Sequence, residues 1–441
     1  MNIFTEGNCL PDREKCEREM NKNAKRVVLS GMAVIMMVSC GTAKKGGQSD
    51  TGVASKGDME AIDNDYLILS DAQRDLLAKN NTFAINLFNK TNGMDSRVIS
   101  PLSVTGLMTI LANGADGDTR QEILNTLGWT GASMEEINEI YGLLVKQAGV
   151  IDPSVTVNVA DYVAVNKDNR INNEFGKTVG DLFGTEVRNL DFTSPKTVNT
   201  INGWCSKHTG GMIPRIIDNM DPGAVAYLMN AIYFNGPWAE RFQTKDTKVE
   251  AFRGYTRDIK KVKMMHRNDE YSYTANGTYS AVRLPYGNGS FAMTVLLPNE
   301  GKSIDDMMRV VNAKEIANLG RKMENCKVDL KLPKFTTEVE QPLNEVIAGL
   351  GAPTMFKPGA DFSKLADGNM FVSKMFQKAK IEVSEEGTKA AAATAAIMTM
   401  SAYEPEPRQV EFHADRPFVY LISESDSGAI YFIGQFTGSE I

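Results

Sequence analysis

The stretch Glu385-Glu386-Gly387-Thr388-Lys389-Ala390-Ala391-Ala392-Ala393-Thr394-Ala395-Ala396 decides how this chain folds. After Lys389 every side chain in it is small and uncharged. Successive residues of a strand face opposite sides, so alternate positions share one face. The positions on one face are Thr388, Ala390, Ala392, Thr394 and Ala396. None of these side chains is too large or too polar to bury, so the stretch predicts a loop that inserts between two paired strands of a sheet.

Two other structures remain open for this stretch. Alanine is the best helix former, so the run could form a helix before any insertion. It could also be a flexible low-complexity linker between domains. Only a short segment follows it, however, and that segment contains two strand-like runs, residues 418–422 and 429–433. We therefore favour the inserting loop.

Composition indicates one large globular domain. The chain has 441 residues, of which 42% are hydrophobic and 23% are charged, an ordinary balance for a globular protein. No Pro/Gly/Ser-rich break divides residues 67–441, which favours a single domain there. The net charge is −7, and no basic patch with interleaved aromatic residues occurs. Nucleic acid is therefore not an expected partner.

The N-terminal residues 1–40 predict export. A basic stub precedes the apolar run 27–38, which is too short to span a bilayer as a helix. Met37-Val38-Ser39-Cys40 resembles the lipobox of bacterial lipoproteins, although leucine is usual at its first position. This implies cleavage before Cys40 and a lipid anchor on its sulfur; a plain signal peptide with an incidental cysteine is the alternative.

The expected location follows from this segment. It is the outer membrane or cell surface of a bacterium, with residues 41–66 as a polar tether, or the exterior as a secreted protein. Both Met1 and Met20 remain open as the start of the chain.

Cysteine and histidine give no sign of a metal site or a catalytic site. Beyond Cys40 only Cys205 and Cys326 remain, without CxxC spacing, so neither a metal site nor a disulfide framework is indicated. The three histidines lie in no nucleophile or metal motif: His208, His266 and His413. We therefore expect no enzyme activity and no cofactor.

The pattern of elements is α+β. Apolar residues at helical spacing predict helices over residues 76–90, 103–112, 118–127 and 173–182. Strand-like runs occupy residues 155–165, 225–234, 279–284, 291–297 and 328–335. Gly287-Asn288-Gly289 joins two of these strands as a hairpin. Helices come mostly first and strands mostly later, which predicts more than one sheet.

Several segments, taken in order, resemble the serpins, a family of serine protease inhibitors. They are Val98-Ile99-Ser100-Pro101-Leu102-Ser103, Leu228-Met229-Asn230-Ala231-Ile232-Tyr233-Phe234-Asn235-Gly236-Pro237-Trp238, Leu284-Pro285-Tyr286 with Leu296-Leu297-Pro298, Leu332-Pro333-Lys334-Phe335, the stretch from Glu385, and Phe412-His413-Ala414-Asp415-Arg416-Pro417-Phe418. The resemblance runs from about Leu76 to Phe436. It implies a serpin fold of three β-sheets and eight to nine helices, with an exposed reactive loop.

The resemblance also implies a mechanism, in which the loop adds a strand to a sheet and releases stored strain. A serine or cysteine endopeptidase attacks the loop and forms an acyl-enzyme. The severed loop enters the main sheet and carries the protease with it before deacylation. The expected partner is thus a target protease, held covalently by a monomer in a native state that is kinetically stable. The alternative is a non-inhibitory serpin that acts as a surface binding lipoprotein.

The resemblance carries over three groups of residues. The hinge comprises Glu385, Glu386, Gly387, Thr388, Ala390, Ala392 and Thr394. The shutter cluster beneath the opening sheet comprises Ser100, Ser103, Asn230 and Gln377. The breach, at the top of the sheet where insertion starts, comprises Lys334, Trp238 and Glu385.

The chemistry of these groups favours an inhibitory protein. A charged side chain on the inward face of the hinge would cost several kcal/mol to bury, and a proline would remove a ladder donor. Neither occurs between Ala390 and Met400. Gln377 stands where the family usually has histidine, and glutamine can both donate and accept hydrogen bonds. We expect Lys334 and Glu385 to form an exposed ion pair worth at most about 1 kcal/mol.

The reactive bond is expected between Met400 and Ala402. The family's scissile bond usually lies sixteen residues beyond the first hinge glutamate, which gives Ser401-Ala402, and a loop one residue shorter gives Met400-Ser401. The connection onward looks longer than usual, so Met398 and Tyr403 remain open.

No Lys or Arg occurs between Lys389 and Arg408, so a trypsin-like target is not expected. Elastase-like, chymotrypsin-like and subtilisin-like proteases fit the residues around the predicted bond better.

Overall fold

The computed structural model describes residues 66–91, 93–388 and 406–438. Within these residues the chain forms nine helices and fifteen strands. The helices are α1 (Asp71–Lys90), α2 (Pro101–Gly114), α3 (Gly117–Leu127), α4 (Met134–Lys146, extended by the turn Ala148–Ile151), α5 (Asn173–Phe183), α6 (Pro195–His208), α7 (Ile304–Met308), α8 (Ala313–Lys322) and α9 (Asn344–Leu350). None of them is long and apolar enough to cross a membrane.

Capping side chains set where the first two helices begin. Ser70 and Gln73 form a capping box that starts α1, five residues before the predicted start. Ser100 caps α2 by accepting from the Ser103 amide, with Pro101 at the first helical position. The four predicted helices are therefore confirmed, the first three with earlier starts, because apolar spacing alone does not register a cap.

The main sheet has six strands in the order β10-β11-β12-β4-β2-β3. They are β2 (Thr156–Asn166), β3 (Glu186–Leu190), β4 (Ala226–Pro237), β10 (Phe335–Pro342), β11 (Lys374–Ser384) and β12 (Gly387–Thr388). One face of β4 packs on the main core through Leu228, Ile232 and Phe234. The opposite face packs in a second cluster with residues of α6, such as Ile201. Every residue of β4 but one is buried, as its apolar run predicts.

The remaining strands form a nine-stranded network in which the long β6 pairs with β5, β7 and β9. Its members are β1 (Arg97–Ile99), β5 (Lys248–Arg253), β6 (Ile259–Ala275), β7 (Tyr279–Tyr286), β8 (Phe291–Pro298), β9 (Glu324–Pro333), β13 (Gln409–His413), β14 (Phe418–Glu424) and β15 (Ile430–Phe436). Because β6 takes part in two strand sets, β5-β6-β9-β13 and β6-β7-β8-β14-β15-β1, the described part of the chain contains three sheets.

One predicted strand divides in two. The run 328–335 was expected as a single strand, but β9 ends at Pro333 and β10 begins at Phe335. Lys334 lies between them, where its amide donates to the carbonyl of Lys263 on β6. The chain thus passes from one sheet into another at Lys334, which is a residue of the predicted breach.

Candidate site of strand insertion

The start of the hinge already lies inside the main sheet. β11 and β4 pair in parallel from Lys374 with Tyr227 up to Lys380 with Tyr233. Above that point the two-residue strand β12 lies between them and pairs antiparallel with both. Gly387 and Thr388 therefore occupy the top of the position where a further strand would lie.

Gly387 is required by the closeness of β4. Its φ of +140° is one that side chains rarely adopt. A Cβ built there would lie 2.3 Å from the carbonyl oxygen of Gly236 and 2.8 Å from the amide nitrogen of Trp238. Only glycine lets the chain turn back between the two strands at this distance.

An aromatic stack holds the inserted threonine. Thr388 is fully buried, and its hydroxyl lies 2.7 Å from the hydroxyl of Tyr286. The Tyr286 ring stacks on the Trp238 indole with ring centroids 4.5 Å apart and planes 10° apart. The two rings thus line the hinge position; Tyr286 belongs to a segment that carries the family resemblance, but no role at this site was predicted for it from the sequence.

Trp238 also fixes the backbone of the hinge. Its indole Nε1 donates to the carbonyl of Ser384 at 2.9 Å, and its amide donates to the carbonyl of Glu386 at 3.0 Å. The amide of Phe242 donates to the carbonyl of Glu385 at 3.0 Å. Three consecutive carbonyls, from the end of β11 into the hinge, are therefore bound by one short segment that follows β4.

Only one member of the predicted breach pair is as exposed as expected. Lys334 Nζ donates to Glu385 at 2.8 Å, and the Thr247 hydroxyl donates to the same carboxylate at 3.0 Å. The Glu385 side chain is only 10% exposed, against 43% for Lys334. Burial would raise the pKa of Glu385, but the bonds from Lys334 and Thr247 lower it below its ordinary value. The expectation of an exposed pair holds for Lys334 and is wrong for Glu385, whose carboxylate is buried and also accepts from Thr247.

The shutter residues form a row across the middle of the sheet. Asn230 on β4 stands directly opposite Gln377 on β11, and both are fully buried. Gln377 Nε2 donates to Asn230 Oδ1 at 3.1 Å and to the Ser100 carbonyl at 3.0 Å, while Gln377 Oε1 accepts from the Ser100 amide at 2.7 Å. Glutamine thus joins both strands to the start of α2.

Ser103 takes part in this cluster differently from the expectation. Its amide donates to the Ser100 hydroxyl at 3.2 Å, but its own buried hydroxyl has no hydrogen-bond partner among the described residues. The serine at this position therefore serves the cap of α2 through its backbone. Among the described residues, the side chain that bonds the start of α2 to the strands is that of Gln377.

Part of the predicted site lies outside the described residues. This applies to the hinge positions Ala390, Ala392 and Thr394, to Met400, Ser401 and Ala402 of the reactive bond, and to Cys40. The described chain resumes at Glu406 and enters β13, which pairs in parallel with β9. The reactive bond and the lipid anchor stay predictions.

Two of the three histidines meet on one carboxylate. His266 on β6 and His413 on β13 each hydrogen-bond through Nε2 to a different oxygen of Asp329 on β9. The third, His208, bonds to the carbonyl of Trp204. Within the described chain no group of His, Cys, Asp and Glu is placed to hold a metal ion.

A main sheet in which β12 of the hinge separates β11 from β4 at the top defines a class of protein. The model of the family described as Serpin (serine protease inhibitor) matches residues 78–438. The chain therefore belongs to the serpin family, and the predicted α+β fold of three sheets and eight to nine helices is confirmed.

Relatives in this family include characterised inhibitors. The chain is 30% identical to the leukocyte elastase inhibitor of Sus scrofa, over 82% of this chain and 99% of that protein. It is 32% identical to the glia-derived nexin of Mus musculus, over 80% and 90%. Among solved structures it is similar to the native state of the thermophilic serpin tengpin, with 25% identity, a TM-score of 0.76, and coverage of 85% and 96%.

Proposed function

We propose that this protein is an irreversible suicide-substrate inhibitor of serine endopeptidases, with cysteine endopeptidases as further candidates. The observation that carries the proposal is the position of β12, which already separates β11 from β4 at the top of the main sheet. A cut in the loop would free the rest of the hinge to continue downward along the same path. The protease would travel with it as an acyl-enzyme.

The small side chains of the hinge support insertion over simple cleavage. Thr388 is fully buried at the top of this path, and the alternating positions after it carry Ala, Ala and Thr. No inward charge would slow the passage, so insertion can outrun hydrolysis of the acyl bond. The residues around the predicted bond favour elastase-like, chymotrypsin-like or subtilisin-like targets, and the likeness to a leukocyte elastase inhibitor supports the first of these.

A covalent adduct with an elastase-like protease tests this proposal. We expect an SDS-resistant band of the summed mass with the wild-type chain. Thr388→Arg should be cleaved at the same bond but form little or no adduct, because a guanidinium would have to enter the buried position beside Tyr286. Mass spectrometry of the released peptide would identify the bond.

Glu386→Arg is the matched control, since Glu386 is exposed and lies two residues earlier. It should form the adduct as the wild type does. Full inhibition by Thr388→Arg would contradict insertion. Cleavage of every variant with no adduct would leave the alternative, a non-inhibitory serpin that binds a partner at the surface.

We further propose that the chain is exported and held at the bacterial surface by a lipid on Cys40. Support comes from the apolar run 27–38 and the lipobox-like sequence before the cysteine. Labelling with a radioactive fatty acid in a bacterial host should mark the wild type and not Cys40→Ser. Equal labelling of both would contradict the anchor.

A further inference from the structure

A carboxyl group lies at the end of the shutter row. Asp161 on β2 pairs directly with Asn230 on β4, which in turn pairs with Gln377 on β11. Paired residues point to the same side of a sheet, so the three side chains form one line beneath it. Asp161 is only 4% exposed. The family resemblance supplied the other members of this line and not this one.

Asp161 determines which way the amides of the row point. Asn230 Nδ2 donates to Asp161 Oδ1 at 2.8 Å, which leaves Asn230 Oδ1 to accept from Gln377 Nε2 at 3.1 Å. A reversed Asn230 amide would place its NH₂ group against that of Gln377. Because a carboxyl oxygen accepts, Asp161 orients Asn230, and Asn230 orients Gln377 toward Ser100.

Among the described residues no cation contributes to the electrostatics of the Asp161 carboxylate. The titratable group that interacts with it from a packed element is the phenol of Tyr141 on α4, and the phenol of Tyr431 on β15 interacts with Tyr141 in turn. Its hydrogen-bond donor on β4 is the neutral amide of Asn230. Burial raises the pKa of Asp161 to about 7, and the Asn230 bond opposes the rise only in part.

The direction of the pH effect follows from this shift. The folded chain binds a proton at Asp161 below about pH 7, whereas the unfolded chain releases it near the ordinary aspartate pKa of 3.8. Between these values the folded state holds more protons, so its stability falls as the pH rises and the loss is complete above the folded pKa. Opening of the sheet between β4 and β11 would let water reach the row and relieve the buried charge.

We propose that Asp161 is a positioning residue for sheet opening, whose protonation holds β4 against β11 and whose ionisation loosens them. The proposal rests on the proposed function for its role in inhibition. Its physical core, the coupling of one buried proton to the closed sheet, can be tested without any protease.

Asp161→Asn is the decisive variant, because asparagine keeps an acceptor for Asn230 but cannot ionise. The Tm of the wild type should fall by about 3 °C between pH 5.5 and 8.5 relative to the variant. Asp191→Asn is the control: hydrogen bonds from Lys167 and Thr193 lower the pKa of the partly exposed Asp191 to about 2, so its variant should keep the wild-type slope. Parallel curves for the wild type and Asp161→Asn would overturn the proposal.

A second measurement uses the wild type alone and does not depend on the variant folding. Exchange of the β11 amides around Gln377, corrected for the intrinsic effect of pH, should become several-fold faster above neutral pH. Unchanged corrected rates would also overturn the proposal.

The stoichiometry of inhibition then separates this proposal from the proposed function. It depends on the competition between insertion and deacylation, and deacylation changes with pH through the protease itself, so the wild type is compared with Asp161→Asn at each pH. We expect the ratio of the two stoichiometries, wild type over Asp161→Asn, to change between pH 5.5 and 8.5. A ratio that stays constant over this range would overturn the role of Asp161 in insertion. Absence of any adduct would refute the proposed function, while the melting curves would still decide whether the proton is coupled to the sheet.

Discussion

A single glycine decides whether the hinge can rest in the sheet. Gly387 combines a positive φ with contacts that leave no room for a Cβ. The backbone strain and the steric overlap that a side chain would cause both act on the same small segment. Hydrogen bonds from the residues after β4 hold that segment in place. A side chain at this position would therefore displace the hinge locally and leave the rest of the fold intact.

Gly387→Ala should expel β12 from the sheet. The strained backbone costs about 1–3 kcal/mol, and the overlap with the Gly236 carbonyl adds to it. Amide exchange at Trp238, whose N–H is bound by the carbonyl of Glu386, should become at least about tenfold faster. Hydrogen exchange with mass spectrometry measures this directly.

Gly203→Ala is its control, since Gly203 has open space around it on α6. That variant should leave Trp238 exchange unchanged and be neutral or slightly stabilising for the helix. Equal exchange at Trp238 in the wild type and Gly387→Ala would show that the glycine is not required for the inserted position.

At the scale of elements, the shutter row joins β2, β4, β11 and the start of α2 through side-chain amides. Gln377 makes three bonds there, two as donor and one as acceptor. A neutral imidazole has one donor and one acceptor, so it can satisfy only two of them. A histidinium can only donate and would face the Ser100 amide.

Gln377→His should therefore give the sheet a pH dependence of its own. The native state needs the neutral ring, so the folded pKa of the histidine lies below its ordinary value of about 6.5. Its stability is then fully present above that value and is lost as the pH falls. Thermal melting at pH 5 and 8 should show the variant destabilised more at pH 5, opposite to the slope expected from Asp161. The same difference from wild type at both values would contradict the three-bond account.

The sequence predicted the elements better than the contacts between them. Side-chain size and hydrophobicity, which are visible in the sequence itself, were enough to predict the inserting stretch after Gly387 and the buried strand β4. Asp161 could not be found that way, because it matters only through a register that pairs it with a residue 69 positions away. Glu385 was expected to be exposed for the same reason, since Thr247 covers it from a different part of the chain.

At the scale of the whole molecule, cleavage of the loop should make the protein much more stable. Each residue that follows Thr388 into the sheet can bond to β11 on one side and β4 on the other. We expect the Tm of the cut wild-type chain to rise by more than about 10 °C. Melting before and after cleavage between Lys389 and Arg408 measures this.

Thr388→Arg, cut in the same way, should rise much less. A wild-type chain that melts at an unchanged temperature after cleavage would show that the loop does not enter the sheet. That outcome would favour the non-inhibitory alternative over inhibition.

The direction of β12 has a consequence for the main chain itself. β11 and β4 form the parallel ladder in the interior of the described sheet, whereas β12 runs antiparallel to both. A strand that continues β12 would replace one parallel ladder by two antiparallel ones, and parallel pairing is slightly weaker per residue. A free peptide with the sequence of residues 388–400 should bind between β11 and β4 only when it runs antiparallel to both. A molecule with this peptide bound could no longer insert its own loop.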